Sequence, residues 1–128
     1  MEIRDLSEPI VAINSNLGKS SFVDVNLSQA RFEDVGMASA QFDSVNLSDG
    51  RFGNMNMSRA VFDDGLLPGT RFTNVNLSGA WFDDINLSGG AIRNANLAGL
   101  SINDCNITGL RIDGVLISDA IAAFRKTE

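Results

Sequence analysis

The sequence predicts an all-β solenoid, in which very short strands and tight corners stack into successive coils. The first observation is a strict rhythm: a phenylalanine recurs at every tenth residue, and a leucine or methionine falls midway between. The second is that mostly small or β-branched residues stand two positions before these large residues, so both side chains share one face of a short extended segment. The third is that the two following residues are mostly polar or glycine, as in turns. One such unit is too small to bury a core, so units must stack.

The large apolar residues occupy every fifth position from Phe22 to Ile117, with phenylalanines at alternate positions and aliphatic residues alone after Phe82. Neither the 3.6-residue period of a helix nor the two-residue alternation of an ordinary strand explains this spacing. The phenylalanine series is Phe22, Phe32, Phe42, Phe52, Phe62, Phe72 and Phe82.

Several units contain the same tripeptide, in which Val or Ala is followed by Asn and Leu. With the two variable residues that follow each tripeptide, this pattern resembles the pentapeptide-repeat family, over about Leu17 to Ala120. The resemblance implies a right-handed quadrilateral β-helix in which four units form one coil. About five coils at a strand spacing of roughly 4.8 Å give a rod about 24 Å long. The tripeptides are Val25-Asn26-Leu27, Val45-Asn46-Leu47, Val75-Asn76-Leu77 and Ala95-Asn96-Leu97.

Two local expectations follow from the corners of this β-helix. Pro68 interrupts the pattern, and because proline donates no ladder hydrogen bond, we expect the corner around it to bulge. Stacked asparagine amides are expected to hydrogen-bond from coil to coil, which stabilises repeats without any binding role. The asparagine columns are Asn26, Asn46, Asn86 and Asn106, and Asn56, Asn76 and Asn96.

The ends of the solenoid must be covered, because an open coil end exposes unpaired backbone. Residues 1–16 are assigned to an N-terminal cap, 17–117 to the β-helix, and 118–128 to a C-terminal helix and tail. Ser118 is the expected N-cap of that helix, and Ile121 and Phe124 lie on one of its faces. The helix is expected to form a lid over the last coil. A homodimer contact through Ile121 and Phe124 is the alternative, since terminal helices dimerise some members of the family.

Composition narrows the classes of partner and compartment. The net charge of −6 over 128 residues disfavours direct binding to nucleic acid or anionic lipid, and it allows a basic partner. A single cysteine excludes an intramolecular disulfide. Neither a signal peptide nor a membrane span is recognised in the sequence. We therefore expect a soluble, cytoplasmic, single-domain protein, and the family resemblance implies a bacterial origin.

One face of the β-helix is predicted to be acidic. Residues twenty apart stack on the same face of a four-unit coil, which brings aspartates into columns and places Val61 and Trp81 outward, one coil apart. An exposed tryptophan beside an apolar neighbour has the composition of an interface anchor. The alternative is that Trp81 lies over a corner and packs only locally. The acidic columns are Asp43, Asp63 and Asp83, and Asp24, Asp64, Asp84 and Asp104.

The opposite face is predicted to carry a column of arginines. Like charges one strand apart repel, so the column needs counter-charges, for which Glu33, Asp34 and Asp113 are available. One interpretation is a solvated stripe that keeps the rod soluble. The other is a site for an acidic partner or a phosphate. The column reads Arg31, Arg51, Arg71, Ala91 and Arg111.

The sequence lacks the usual chemistry of an enzyme. Histidine is absent, which excludes Ser–His and Cys–His pairs and histidine metal sites. Cys105 takes the small inward position of its unit and is expected to be a buried, unreactive thiol. The aspartate columns lie on open faces and not in the oxygen cage that calcium requires. No catalytic, cofactor-binding or metal-binding residues are predicted, and neither is a cofactor.

Three hypotheses for function remain open at this point. The first is a non-enzymatic interaction module, a rigid rod that binds an unidentified protein through the acidic or the arginine face. The second comes from the resemblance: some members of the family mimic DNA, bind DNA gyrase or other topoisomerases, and protect against their poisons. Here the rod spans only about seven base pairs at 3.4 Å each, and the arginine column interrupts the DNA-like charge. The third is a purely structural subunit.

Overall fold

The computed structural model describes residues 2–3 and 11–126, and its strands lie in two parallel sheets on opposite sides of a coil. Successive strands along the chain alternate between the sheets up to the last two, which lie antiparallel in the second sheet, and one helix, α1 (Ile117–Arg125), follows them. The first sheet contains β1 (Glu2–Ile3), β3 (Ser21–Val23), β5 (Gln41–Asp43), β7 (Val61–Asp63), β9 (Trp81–Asp83) and β11 (Ser101–Asn103). The second sheet contains β2 (Val11–Ile13), β4 (Arg31–Glu33), β6 (Arg51–Asn56), β8 (Arg71–Asn76), β10 (Ala91–Arg93), β12 (Arg111–Ile112) and β13 (Val115–Leu116).

The register shows that one coil contains twenty residues. Phe42 pairs with Phe62 in the first sheet, and Arg51 pairs with Arg71 in the second. The other two sides of the coil are paired with the same offset, by single bridges such as Asn26 to Asn46 and by the ends of β6 and β8. The predicted β-helix of stacked four-unit coils is thereby confirmed.

Two phenylalanine stacks fill the core. In the first sheet, the Phe62 ring stacks on Phe42 and Phe82 with centroids 4.5 and 4.8 Å apart and rings within 3° of parallel. In the second sheet, Phe52 and Phe72 stack at 4.9 Å. The two stacks meet edge to face across the coil, with centroids 6.0–6.5 Å apart. Both geometries are favourable for aromatic pairs, so the ring contacts stabilise the stacking of each coil on its neighbours.

The asparagine columns stabilise corners and do not form the expected amide ladders. The Oδ1 atom of Asn46 accepts a hydrogen bond from the N–H of Ser48, two residues on, at 3.0 Å. The same bond recurs at the other asparagines of both columns. Such a local bond satisfies a turn N–H that lies off the ladder. Among the described residues, one amide-to-amide bond links two coils, from Asn74 to Asn54 at 3.1 Å, and it lies outside these columns.

The corner at Pro68 is regular, and the expected bulge is wrong. The backbone of Asp49 donates to the Pro68 carbonyl at 2.9 Å, as its counterparts do in the other coils. In those coils, the residue equivalent to Pro68 uses its N–H only for the bond to the asparagine two residues before it. Here that asparagine is replaced by Leu66. Because the donor and the acceptor are lost together, neither is left unsatisfied.

The N-terminal segment extends the sheets. β1 pairs with β3 and β2 pairs with β4, so residues assigned to a cap continue the coil pattern. The side chains of Val11 and Ile13 point outward and are exposed, while Ala12 packs against the core. Residues 4–10, which the sequence analysis also assigned to the cap, lie outside the described residues.

The C-terminal end differs from the predicted lid. β13 turns back antiparallel to β12, and α1 follows directly. Leu116 is therefore the N-cap, with no side-chain cap bond, and Ser118 lies inside the first turn of the helix. Ile117 packs against the core, but none of the residues of α1 is buried, and Phe124 is 65% exposed. As a result, interior residues of the last coil, such as Ile107, stay half-buried.

Cys105 also lies in the last coil, which the terminal helix leaves partly exposed. Its thiol is half-buried and lies 3.0 Å from the carbonyl oxygen of Asn103, so the expectation of a fully buried thiol is wrong. Desolvation is the main cause that raises its pKa, although backbone hydrogen bonds act in the opposite direction. A raised pKa keeps the thiol protonated near neutral pH, which disfavours reactivity.

Candidate functional site

Three aspartates form a column on the first sheet. In β5, β7 and β9 the central phenylalanine points inward, so the residue after it points outward. The parallel register then sets Asp43 beside Asp63, and Asp63 beside Asp83. The neighbouring corner adds Asp64 and Asp84, both exposed and both in the left-handed backbone conformation that aspartate tolerates. The structure thus brings together the acidic residues that the sequence analysis assigned to this face.

Trp81 lies on the same sheet, beside the aspartate column. It pairs with Val61 in the register of β7 and β9, and the side chain of Val61 is half-buried. Trp81 itself is 49% exposed. It is the first residue of its strand and follows a corner directly, so local packing over that corner stays the alternative to an interface anchor. A half-exposed indole on a flat sheet can bury further area only against a partner.

The acidic columns lack compensating positive charge. Within the described residues, the stacked positions that carry these aspartates contain no lysine or arginine. The pKa of Asp63 is raised, first by desolvation and then by the charges of Asp83, Asp43, Asp64 and Asp84. The hydroxyl of Ser44 lies 3.1 Å from Asp43 and 3.4 Å from Asp64, and because its one proton serves one carboxylate at a time, it offsets only part of this repulsion. The face therefore holds a negative field suited to a positively charged surface.

A shallow groove of about 790 Å³ follows the corner next to this column. Its floor is made by small and β-branched residues such as Val45 and Gly65, and aspartates and asparagines form its two sides. Leu66, which takes the place of an asparagine, is 49% exposed at this groove. The sequence analysis did not assign Leu66 to the site, although the break in the asparagine column at this residue was the signal. Apolar Leu66 and Trp81 thus lie on either side of the acidic columns.

Asp63 provides a pH-dependent test of this crowding. Because its pKa is raised, its charge destabilises the fold above that pKa, and the effect disappears as the pH falls through the raised pKa towards its ordinary value of 3.8. We expect Asp63→Asn to raise the Tm at about pH 7 and to leave it unchanged at about pH 3. Asp34→Asn, which removes the same charge at a corner beside the arginine column, is the control and should give no such gain. Scanning calorimetry at both pH values measures the difference, and an equal gain at both would contradict it.

Neither a metal cluster nor a membrane helix is found among residues 2–3 and 11–126. These residues contain no group of three or more His, Cys, Asp or Glu side chains placed to hold a metal ion. α1, the one helix in these residues, has nine residues and is too short to span a bilayer.

The predicted arginine column is present on the second sheet. Arg31, Arg51 and Arg71 lie side by side, followed by Ala91 and Arg111. Of the three acidic residues expected to supply counter-charges, one does so: Glu33 forms an ion pair with Arg31 at 2.6 Å. Asp113 instead accepts a hydrogen bond from the backbone of Asn94, and Arg111 donates to the Gly114 carbonyl. Within the described residues, Asp34 and Asp113 form no ion pair with the column.

The third group of predicted site residues lies on α1. Ile121 and Phe124 are both exposed on this helix, beyond the last coil. They follow Arg111, the last residue of the arginine column, by ten and thirteen residues. A homodimer through them stays a prediction.

The comparisons with known proteins agree with this fold. The family model for pentapeptide repeats matches in eight copies, over residues 13–49, 40–79, 56–89 and 70–109. None of the curated proteins matches the chain by sequence. Among solved structures, the pentapeptide repeat protein Rfr23 from the cyanobacterium Cyanothece 51142 is similar, with a TM-score of 0.65 and 18% identity over 82% of each chain. At this identity, the likeness shows the fold alone.

Two other solved structures match with lower scores. A pentapeptide repeat protein from the Arabidopsis thaliana thylakoid lumen has a TM-score of 0.49 and 21% identity, over 76% of this chain and 64% of that one. QnrB1, a plasmid-mediated fluoroquinolone resistance protein, has a TM-score of 0.25 and 15% identity, over 92% of this chain and 97% of its own. The repeat model, which covers more than half of the sequence, and the stacked four-unit coils lead to one conclusion: the chain belongs to the pentapeptide repeat family.

Proposed function

We propose that this protein is a non-enzymatic interaction module, a rigid rod whose acidic face binds a basic protein partner. The observation that carries the proposal is the half-exposed Trp81 beside three stacked aspartates that have no counter-ion in the described residues. Aromatic anchors dominate binding energy at interfaces, and charged columns steer a partner of opposite sign. Trp81 and Val61 would form the apolar centre, and Asp43, Asp63, Asp64, Asp83 and Asp84 the charged surround.

Rigidity supports this role. The face is carried by strands that pair in register through the coils, above a continuous phenylalanine stack. A partner therefore meets side chains that are already in place, so little ordering entropy is lost on binding. Leu66 across the corner extends the apolar contact to the groove.

The absence of an enzyme's chemistry in the sequence favours binding over catalysis. The chain has no histidine, and its cysteine has a raised pKa. The groove beside the acidic column is open and lined by carboxylates and amides. A nucleophile with an adjacent base, the usual requirement for covalent catalysis, is not formed there.

The direct test is capture of a partner from a bacterial lysate, followed by purification of that partner and measurement of its Kd by calorimetry. Trp81→Ser should weaken binding by about 30-fold, the loss of about 2 kcal/mol expected for an anchor. Changing Asp43, Asp63 and Asp83 together to Asn should slow association and reduce its dependence on salt. Circular dichroism must show that both variants keep the β-helix.

Two control variants match these changes elsewhere on the surface. Val11→Ser removes an exposed apolar side chain from the second sheet, and changing Asp34, Asp49 and Asp113 to Asn removes the same charge from other surfaces. Both should bind as the wild type does. If the acidic-face variants also keep the wild-type Kd within about twofold, the assignment to this face is wrong. Failure to capture any protein would favour the purely structural role.

Gyrase is one specific prediction for the identity of the partner. The net charge of −6 and the acidic columns favour it. The arginine column on the second sheet opposes it, because DNA presents one sign of charge around its whole circumference. A homodimer through α1 would double the length of the rod and strengthen the case. A supercoiling assay decides: activity unaffected by micromolar protein removes gyrase as a partner.

A further inference from the structure

The second sheet contains a gap in its outward side chains at Gly53. Two residues after Arg31, Arg51 and Arg71, the outward position holds Glu33 in β4, Gly53 in β6 and Thr73 in β8, and these three lie side by side. The missing side chain leaves a concavity of about 280 Å³ bordered by the three arginines, Glu33 and Thr73. A Cβ atom at Gly53 would meet nothing closer than 3.9 Å, so the gap is not required by packing.

The neighbouring strand shows what fits beside such an arginine. In β4, the carboxylate of Glu33 lies 2.6 Å from the guanidinium of Arg31, two residues before it on the same face. The equivalent place in β6, two residues after Arg51, is empty because Gly53 has no side chain. In β4 the arginine is therefore paired with a carboxylate of its own strand, whereas the equivalent arginine of β6 has no such partner.

Of the three arginines that border the gap, Arg51 and Arg71 are the two without a counter-ion among the described residues. They lie in adjacent strands, about 4.8 Å apart at the backbone, and neither forms an ion pair within the described residues. Thr73, exposed on β8 beside Gly53, adds a hydroxyl at the far side of the gap. β6 and β8 are also the longest strands, each of six residues, so these groups stand on a well-paired part of the sheet.

We infer that the gap above Gly53 is a binding site for a phosphoryl group, held by Arg51 and Arg71 with the hydroxyl of Thr73. A phosphoryl group carries up to two negative charges and three acceptor oxygens, which matches two guanidinium groups and one hydroxyl. Glu33 also borders the gap, and its ion pair with Arg31 at 2.6 Å offsets the negative charge that it places there. This site lies on the sheet opposite the acidic face, and it does not depend on the proposed function.

The test is a titration of the ¹⁵N-labelled full-length protein, followed by the amide resonances of Gly53 and Thr73 at constant ionic strength. One arm uses inorganic phosphate and the other a phosphoserine tripeptide. Both should give saturable shifts centred on these amides. Tighter binding of the peptide would identify a phosphorylated protein as the source, and equal binding would identify free phosphate. Shifts that do not saturate, or that sodium chloride reproduces, would overturn the inference.

Variants locate the bound group. Arg51→Gln and Arg71→Gln should each weaken binding by about tenfold, as expected for loss of one hydrogen bond between charged groups. Arg59→Gln, at a corner that does not border the gap, is the control for loss of an arginine and should bind as the wild type does. Equal affinity in all three variants would show that the shifts arise elsewhere.

Gly53→Glu is the sharpest test, because it gives β6 the carboxylate that Glu33 provides in β4. It removes no arginine, and the space at Gly53 accepts a side chain. We expect it to fold, to pair with Arg51 and to abolish the saturable shifts, while Gly53→Ser keeps them. Wild-type affinity in Gly53→Glu would contradict the inference.

Discussion

Replacing Phe62 by alanine is expected to lower the free energy of unfolding by about 3–5 kcal/mol, the range for removal of a fully buried aromatic side chain. Phe62 is fully buried and contacts four other rings, two stacked above and below it and two edge to face across the coil. Its loss opens a cavity at the centre of the rod, where the flanking coils can close only by breaking their ladders.

Denaturant unfolding followed by circular dichroism measures this loss. Phe62→Leu is the matched control, because aliphatic residues already occupy equivalent interior positions, such as Ile102 in β11. It should cause a clearly smaller loss than the alanine. If Phe62→Ala loses less than about 1 kcal/mol, the stacked rings are not the main support of the central coils.

The second large effect is a difference between two proline substitutions: we expect proline to be tolerated at Ser88 and to lower the free energy of unfolding strongly at Asn86, two residues earlier. In the coil after Pro68, Leu87-Ser88-Gly89 stands where Leu67-Pro68-Gly69 stands one coil earlier. The N–H of Ser88 donates only to the side chain of Asn86, at 2.9 Å, so Ser88→Pro should lower the free energy of unfolding by only about 1 kcal/mol. Changing Asn86 to leucine as well copies the Pro68 corner and should recover most of that loss.

Asn86→Pro should behave differently, with a loss of about 2–4 kcal/mol. The N–H of Asn86 donates to the carbonyl of Gly65 in the preceding coil at 3.0 Å, and proline would leave that acceptor unpaired as well as remove the bond to Ser88. The free energies of unfolding of the three variants, measured in denaturant, form the comparison. Equal losses at 86 and 88 would mean that the bond between coils contributes little.

These two predictions rest on features that the sequence analysis identified with different success. The phenylalanine period accounts for the two stacks, because a period of ten places successive phenylalanines on opposite sides of a four-unit coil. The proline was interpreted wrongly, since the general rule considers the lost ladder bond and not which N–H is lost. At Pro68 the missing donor is a turn N–H, and Leu66 removes its acceptor at the same time.

The candidate site was predictable in its columns and not in its details. Residues twenty apart in sequence had to become neighbours once four units made a coil, so the aspartate and arginine columns followed from the period alone. Which arginines keep a counter-ion did not follow. Arg31 is paired because the carboxylate of Glu33 lies 2.6 Å away, while the equivalent residue for Arg51 is Gly53, which has no side chain.

By itself, the sequence determined the repeat, the inward residues, the two charged columns and the family, because each of these depends only on the spacing of residue types along the chain. The tertiary structure alone decided the exposure of Leu66, the gap at Gly53 and the position of the terminal helix. β13 reverses against β12 before α1 begins, so the helix leaves the last coil partly uncovered. These features depend on distances between side chains of different coils and on the direction of the chain after the last corner, and a periodic pattern contains neither.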